Sequence, residues 1–351
     1  MSVAGRLPLL VAGMLSLVAG VAAGLARVGY DLNAPAALHG PLMGGAFLGT
    51  VISLERAVAL GRLWAYAAPF ATACAGLAWI FRQPTVAGGV LLTAGGLVLV
   101  IASVAVWRKQ RELHNLVLGA GAACLVLGGV ACTTGLISEA TPAWIGFLVL
   151  TIAGERLELS RFMPPSPVAK RWFAGICSAL FVTVLFAVLQ PSPGWKAVAA
   201  SLLALAAWLA LKDIARRTIR EKGLTRYIAA ALLSGYVWLA IGALIALSAD
   251  VFAPGRPALD AALHAWFVGF VFSMIFGHAP IIAPALLRVA LPYKPWFYVP
   301  LAVLHLSLAE RIVGDLLMDH ATRARGAAGN AFAIALFIAT MLYAGFSGRR
   351  R

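Results

Sequence analysis

The sequence predicts an all-α polytopic membrane protein, a helical bundle of about twelve transmembrane helices forming one integral domain over residues 1–351. Three observations carry this prediction. Of the residues, 62% are hydrophobic and only 12% are charged, where a soluble domain is about one-quarter charged. The apolar residues come in runs of about 20, the length that crosses a hydrocarbon core. The connections between runs are short, and most are basic or contain proline.

Hydropathy places the spans at approximately 7–26, 38–60, 63–81, 84–107, 113–136, 141–160, 169–190, 194–211, 226–248, 259–286, 295–318 and 327–346. The first run lacks a convincing cleavage site and is expected to remain as a helix. Orientation follows the distribution of lysine and arginine. Arg6, Arg62, Arg108, Lys109, Arg111, Arg161, Lys170 and Arg171 share one side with the six basic residues of 212–226, with Arg288 and Lys294, and with Arg349, Arg350 and Arg351. Arg27, Arg82, Lys196, Arg256, Arg323 and Arg325 take the other side, so the balance is 19 against 6. Both termini are therefore expected in the cytoplasm, with the chain multi-pass in a bacterial inner membrane. The net charge of +15 would suggest nucleic acid in a soluble chain. In short loops beside lipid it does not, and the expected surroundings are the bilayer.

Cys74, Cys124, Cys132 and Cys177 all fall in apolar runs and form no CxxC, which argues against a disulfide frame or a thiolate metal site. The sequence has no P-loop, dinucleotide fingerprint or HExxH. Any reaction would have to run on a bound cofactor, and no catalytic residue is assigned.

The tenth span, 259–287, organises the polar residues. It carries His264 and His278, 14 positions apart. In an α-helix that is a rise of about 21 Å, with the rings about 40° apart around the axis. Pro280 and Pro284 are expected to kink or end this helix just past His278. The topology gives an outer set of His39, His264 and His305 and an inner set of His114 and His278. His320 is placed in an outer loop. The dipeptide Glu-Arg occurs in three spans, as Glu55-Arg56, Glu155-Arg156 and Glu310-Arg311. Neighbours on a helix do not face each other, so each glutamate needs a partner on another helix. These pairs read equally as structural ion pairs or as a proton path. His39, His114 and His264 are each followed five residues later by glycine, at Gly44, Gly119 and Gly269.

Ionisable groups at membrane depth are costly and mark functional sites. Two histidines on different helices can bind a haem iron, and three imidazoles suit copper or another borderline metal. Arg311, or an outer-loop arginine such as Arg27, matches the geometry of a haem propionate. Trp266, Phe267, Phe270 and Phe272 offer rings to pack on a porphyrin. A histidine at a span end is also a common interfacial residue, and an aromatic stretch is often simple packing.

The segment ALHAWFVGFVFSM (262–274) resembles the ALHAW-x-x-G motif of the NnrS family. RELHNLVLGAGAACLVLGGV (111–130) is similar to the start of that family's fifth span, and LSGYVWLAIGAL (233–244) to its ninth. ALHGPLMGGAFLGTVISL (37–54) sits where the family has a His-Ala-His-Glu run, of which His39 remains beside Ala37 and Gly40. The segment FGHAPIIAPALL (276–287), with His278, marks a divergent branch. The resemblance implies a twelve-span haem and copper membrane protein linked to nitric oxide and denitrification. It implies that His264 and His39 hold a haem of b type; the topology puts His305 beside them as the expected ligand or proton donor, and Arg311 is the candidate for a propionate. His278 and His114, with Glu55, Arg56, Glu155 and Arg156, are the expected inner site for a second metal, for which copper is the candidate, or for a proton path or ion pairs; Glu310 belongs to the same set of ion-pair candidates. The expected role is to bind or turn over a small diatomic such as nitric oxide, or to transfer electrons for that purpose. A homodimer is one assembly open to it. The alternative is a cofactor-free proton-coupled transporter using buried Glu, Arg and His.

Overall fold

The computed structural model describes residues 2–248 and 257–348. Arg256 and the residues 349–351, all part of the charge count, lie outside the described residues. Among the described residues every regular element is helical. The long helices are α1 (Val3–Arg27), α2 (Pro41–Leu60), α3 (Leu63–Ile80), α4 (Thr85–Lys109), α5 (Leu113–Thr133) and α6 (Thr141–Leu159). They continue with α7 (Pro167–Leu189), α8 (Pro191–Lys212), α9 (Gly223–Leu247), α10 (Pro257–Leu287), α11 (Tyr298–Leu316) and α12 (His320–Gly348). Eleven helices among the described residues are long and apolar enough to cross a membrane. The exception among the long helices is α6, whose last turns carry Glu155, Arg156 and Glu158. Glycines in the left-handed region end α2 at Gly61 (φ 66°) and precede α6 at Gly135 (φ 79°), a conformation that costs a residue without Cβ little.

The chain forms two compact units. The first comprises the residues up to Leu159 together with Cys177–Gly194. Here α1 packs on α2 and α3, α3 on α4, α4 on α5, and α5 on α6. Small residues set these distances. A Cβ on Gly89 would come within 2.7 Å of the Thr133 nitrogen, and one on Gly129 within 2.7 Å of the Thr93 nitrogen. Such close backbone approach supplies the van der Waals contact that holds helices together in lipid. Trp144 of α6 is buried in the slot that Gly44, Gly45 and Gly128 leave open.

The second unit comprises Ser160–Ile176 and the residues from Trp195 onward. In it α9 packs on α10, α10 on α11, and α11 on α12. The α11–α12 hairpin is closely packed: a side chain on Gly314 would meet the backbone of Arg323, and one on Gly326 the backbone of Arg311. Asn330 Nδ2 donates to Ser307 Oγ (2.7 Å) across the same hairpin. Asp319 caps α12, accepting from the Ala321 and Thr322 amides at 3.0 and 3.3 Å.

Three sequence expectations are corrected. His320, Arg323 and Arg325 are not in an outer loop, because α12 begins at His320. Of the two outcomes expected of Pro280 and Pro284, ending the helix just past His278 is ruled out, because both lie inside α10, which runs on to Leu287 and ends on Arg288 in the left-handed conformation (φ 54°). The 40° angle between His264 and His278 assumed an α-helix throughout, but Ala265–Phe272 is a π-helix. Its wider i→i+5 rings change the rotation per residue. A second π segment, Pro41–Phe47, opens α2 just after His39. Gly44 and Gly269 lie within these two segments, whereas Gly119 lies in the regular helix α5.

Candidate functional site

The densest polar site of the second unit is built around His264, the residue that leads into the π segment of α10. Its Nδ1 lies 2.8 Å from the backbone carbonyl of Asp260 and 3.3 Å from that residue's Oδ2. A carbonyl only accepts, so Nδ1 carries the proton; in the neutral ring the lone pair is then on Nε2, the form that ligates a metal. The Asp260 carboxylate in turn meets Arg311 Nη2 at 2.9 Å and Arg323 Nη2 at 3.2 Å. Arg323 Nε lies 2.8 Å from Asp315 Oδ1. Two aspartates and two arginines from α10, α11 and α12 thus balance one another behind the imidazole. The network is short of hydrogen bonds. Both Asp315 carboxylate oxygens and the Nε atoms of Arg311 and Arg323 are buried without a hydrogen-bond partner, so the 2.8 Å contact is an ion pair of poor hydrogen-bond geometry.

Local structure explains the convergence. Asp260 stands one turn before His264, and Asp315 one turn after Arg311, so each pair shares a helix face. Gly314 and Gly326 let α11 and α12 close far enough for Arg311 and Arg323 to reach the same carboxylate.

His305 differs. Trp238 Nε1 donates to its Nδ1 at 2.9 Å, with the two rings nearly parallel. Indole is a donor only, so Nδ1 must accept and Nε2 carries the proton. That Nε2 is buried and has no hydrogen-bond partner. In this tautomer His305 can donate a hydrogen bond but offers no lone pair to a metal.

His39 and His278 share the His264 tautomer. His39 Nδ1 lies 2.8 Å from the Gly20 carbonyl and His278 Nδ1 2.8 Å from the Met274 carbonyl. The His39 ring rests on α1, where a Cβ on Gly24 would stand 2.7 Å from its Cε1. A family model described as Domain of unknown function (DUF8744) matches residues 6–346. The chain belongs to this family. No curated protein and no solved structure matches it.

The remaining sequence-selected residues are distributed over this DUF8744 chain as follows. His39 and His114 belong to the first unit, and His264, His278 and His305 to the second. Glu55, Arg56, Glu155 and Arg156 are electrostatic neighbours in the first unit, joined by Glu158, which the sequence reading did not single out. His114 is buried near the start of α5. Glu310 and Arg311 reach different partners, Glu310 pairing with Arg325 at 3.0 Å and Arg311 with Asp260. Trp266, Phe270 and Phe272 are buried against Trp195, Tyr236 and Phe276 respectively. Among the described residues no three His, Cys, Asp or Glu side chains come together in a group suited to a metal ion. Asp260 and Asp315 escaped the sequence reading, and Arg323 entered it only through the charge count and not as a site residue. The four-residue spacings Asp260–His264 and Arg311–Asp315 were the available signal.

Proposed function

We propose that this protein is a membrane haem protein of the NnrS kind, in which His264 ligates a haem of b type through Nε2. It crosses a bacterial inner membrane twelve times, with α6 as the twelfth span and both termini cytoplasmic. The observation that carries the haem reading is the fixed tautomer of His264. The Asp260 carbonyl holds its Nδ1 proton, and the Asp260 carboxylate, anchored by Arg311 and Arg323, stands beside it. Support of this kind orients a ligating imidazole and raises its basicity. The chemistry that haem supplies when bound is an iron able to take a small diatomic such as nitric oxide or to exchange an electron. His305 contributes an N–H donor, and its tautomer removes it from the ligand set. Arg311 serves the ligand's support through Asp260. Copper and a link to denitrification belong to the same reading through the NnrS likeness, and a homodimer is the assembly proposed with it.

A second reading is favoured by one observation, the buried and underbonded carboxylate of Asp315. A carboxyl group in that position can take up and release a proton, as a proton-coupled transporter requires.

Absorption spectra of the detergent-purified protein, oxidised and reduced, decide between them. The haem reading expects a Soret band that shifts on reduction and with nitric oxide, and that His264→Ala abolishes. His39→Ala in the same assay separates a one-histidine iron from a two-histidine iron. Full haem occupancy in His264→Ala would remove the ligand assignment. A featureless spectrum from cells supplied with haem precursor would transfer the site to the transporter reading.

A further inference from the structure

Away from the His264 network, the described residues of the second unit hold a concentration of positive charge where the end of α8 and the short helix Ala215–Thr218 face the segment before α7. A cleft of about 720 Å³ opens there. Four of its lining side chains are cationic, Lys212, Arg216, Arg217 and Arg220, and all four are exposed. The acidic residue in the lining is Asp213. Its carboxylate is buried and accepts from the Ala215 amide at 2.7 Å, which sets the turn that fans the arginines out. One carboxylate against four cations leaves an excess of positive charge in one cavity. Arg216 Nη1 donates to the Leu211 carbonyl at 2.7 Å, which pins its guanidinium at the cleft. The remaining wall is apolar and includes Met163, Pro164 and Leu211.

A cavity with several guanidinium groups and an apolar wall matches a phosphate group carried on an organic body. The planar fork of arginine pairs with phosphate oxygens through two hydrogen bonds at once. The cleft also lies where two membrane-length helices, α7 and α8, have their ends, and basic pockets at such ends bind lipid headgroups. We propose that this cleft binds a phosphate-bearing anion. Two sources supply that chemistry, the headgroup of an acidic phospholipid and a soluble phosphate ester. The inference is independent of the haem reading, because none of its residues belongs to the His264 network.

The test uses the full-length protein in detergent, with retained lipid read by native mass spectrometry and unfolding temperature read with added probes. The pocket variant is Arg216→Gln with Arg217→Gln and Arg220→Gln. The matched control, Arg108→Gln with Lys109→Gln and Arg111→Gln, removes the same charge from the α4–α5 connection. Each cation near an anionic headgroup contributes enough that losing three weakens binding about 100-fold. If the source is lipid, wild type and control retain phosphatidylglycerol and are stabilised by it, phosphatidylcholine does neither, and the pocket variant loses the effect. If the source is soluble, inorganic pyrophosphate stabilises wild type and control but not the pocket variant, with no lipid retained. A triple arginine-to-lysine variant keeps the charge but loses the forks, so it binds between wild type and the pocket variant while melting like wild type without a probe, which separates lost binding from lost folding. Equal responses of the pocket variant and wild type to both probes overturn the proposal, as does an equal loss in the control.

Discussion

His39 and His264 each lead into a π segment with a glycine five residues on, and they differ in what stands behind them. Behind His264 are a carbonyl, a carboxylate and two arginines drawn from three helices. Behind His39 are the Gly20 carbonyl and the glycine shelf of α1. Both arrangements leave the same imidazole tautomer. One does it with buried charge, which is costly to disturb, and the other with shape. The difference predicts that the same lesion, loss of the histidine's backing, is severe in the second unit and mild in the first.

The sharpest way to break this comparison is Asp260→Ala. It strands Arg311 and Arg323 in a site built for their counter-charge, and removing one partner of a buried ion pair costs about 3–5 kcal/mol. A large fall in unfolding temperature is expected, with hydrogen exchange rising in α10–α12. An unchanged melting curve would mean that the network is not an energetic unit. Next is Gly326→Ala, whose methyl group meets the Arg311 backbone. Overpacking of this kind costs about 1–3 kcal/mol. Gly175→Ala is the internal control, since its Cβ meets nothing within 4 Å, and it should be neutral or slightly stabilising. The first-unit counterpart, Gly24→Ala, pushes on a side chain that can swing. Its expected cost is the His39–Gly20 hydrogen bond, about 1 kcal/mol. A loss as large as that of Asp260→Ala would erase the distinction between the two histidines.

The smallest expected effect lies outside the spans. The Thr322 hydroxyl, with the Thr322 and Ala321 amides, holds the Asp319 carboxyl below its ordinary value of 3.8. A lowered folded value stabilises the protein above the unfolded value, and the contribution fades as pH falls through the folded one. Asp319→Asn should therefore melt slightly below wild type at neutral pH, with the gap closing only in acid below about pH 3.8. A gap that widened in acid would show that the cap does not act through the carboxylate.

Much of this architecture was legible in the sequence. Each of the twelve long helices overlaps an apolar run, because hydropathy and helix length in lipid obey one constraint. α6 is the informative exception, a run whose last turns hold three charges and which therefore falls short on apolarity alone. The His264 site was only half legible. His264 and Arg311 stood out as ionisable residues within apolar runs, but the link between them is Asp260, which lies close to the start of its helix. Arg323 read as a loop residue because hydropathy ignores the first polar turns of α12. What brings Arg323 to Asp260 is glycine-mediated contact between helices, and no property of a single segment encodes that. The π segment of α10 was invisible for a related reason. AWFVGFVF is apolar on every side, so no polar residue marks a change in rotation.

That segment carries a consequence for how the chain can vary in length. A π turn holds more residues than an α turn, so Ala265–Phe272 contains slack that a plain helix would not need. Deleting one residue there would let α10 close as an ordinary helix. The wider turns hold the extra residue, so its loss would leave everything beyond it on roughly its present face relative to His264. Ser273, Met274, Phe276 and Gly277, now buried, would stay on the faces they occupy. A regular helix interior cannot absorb a lost residue as a loop does; this one can, and the distance between His264 and His278 can shorten by a residue without turning either ring away.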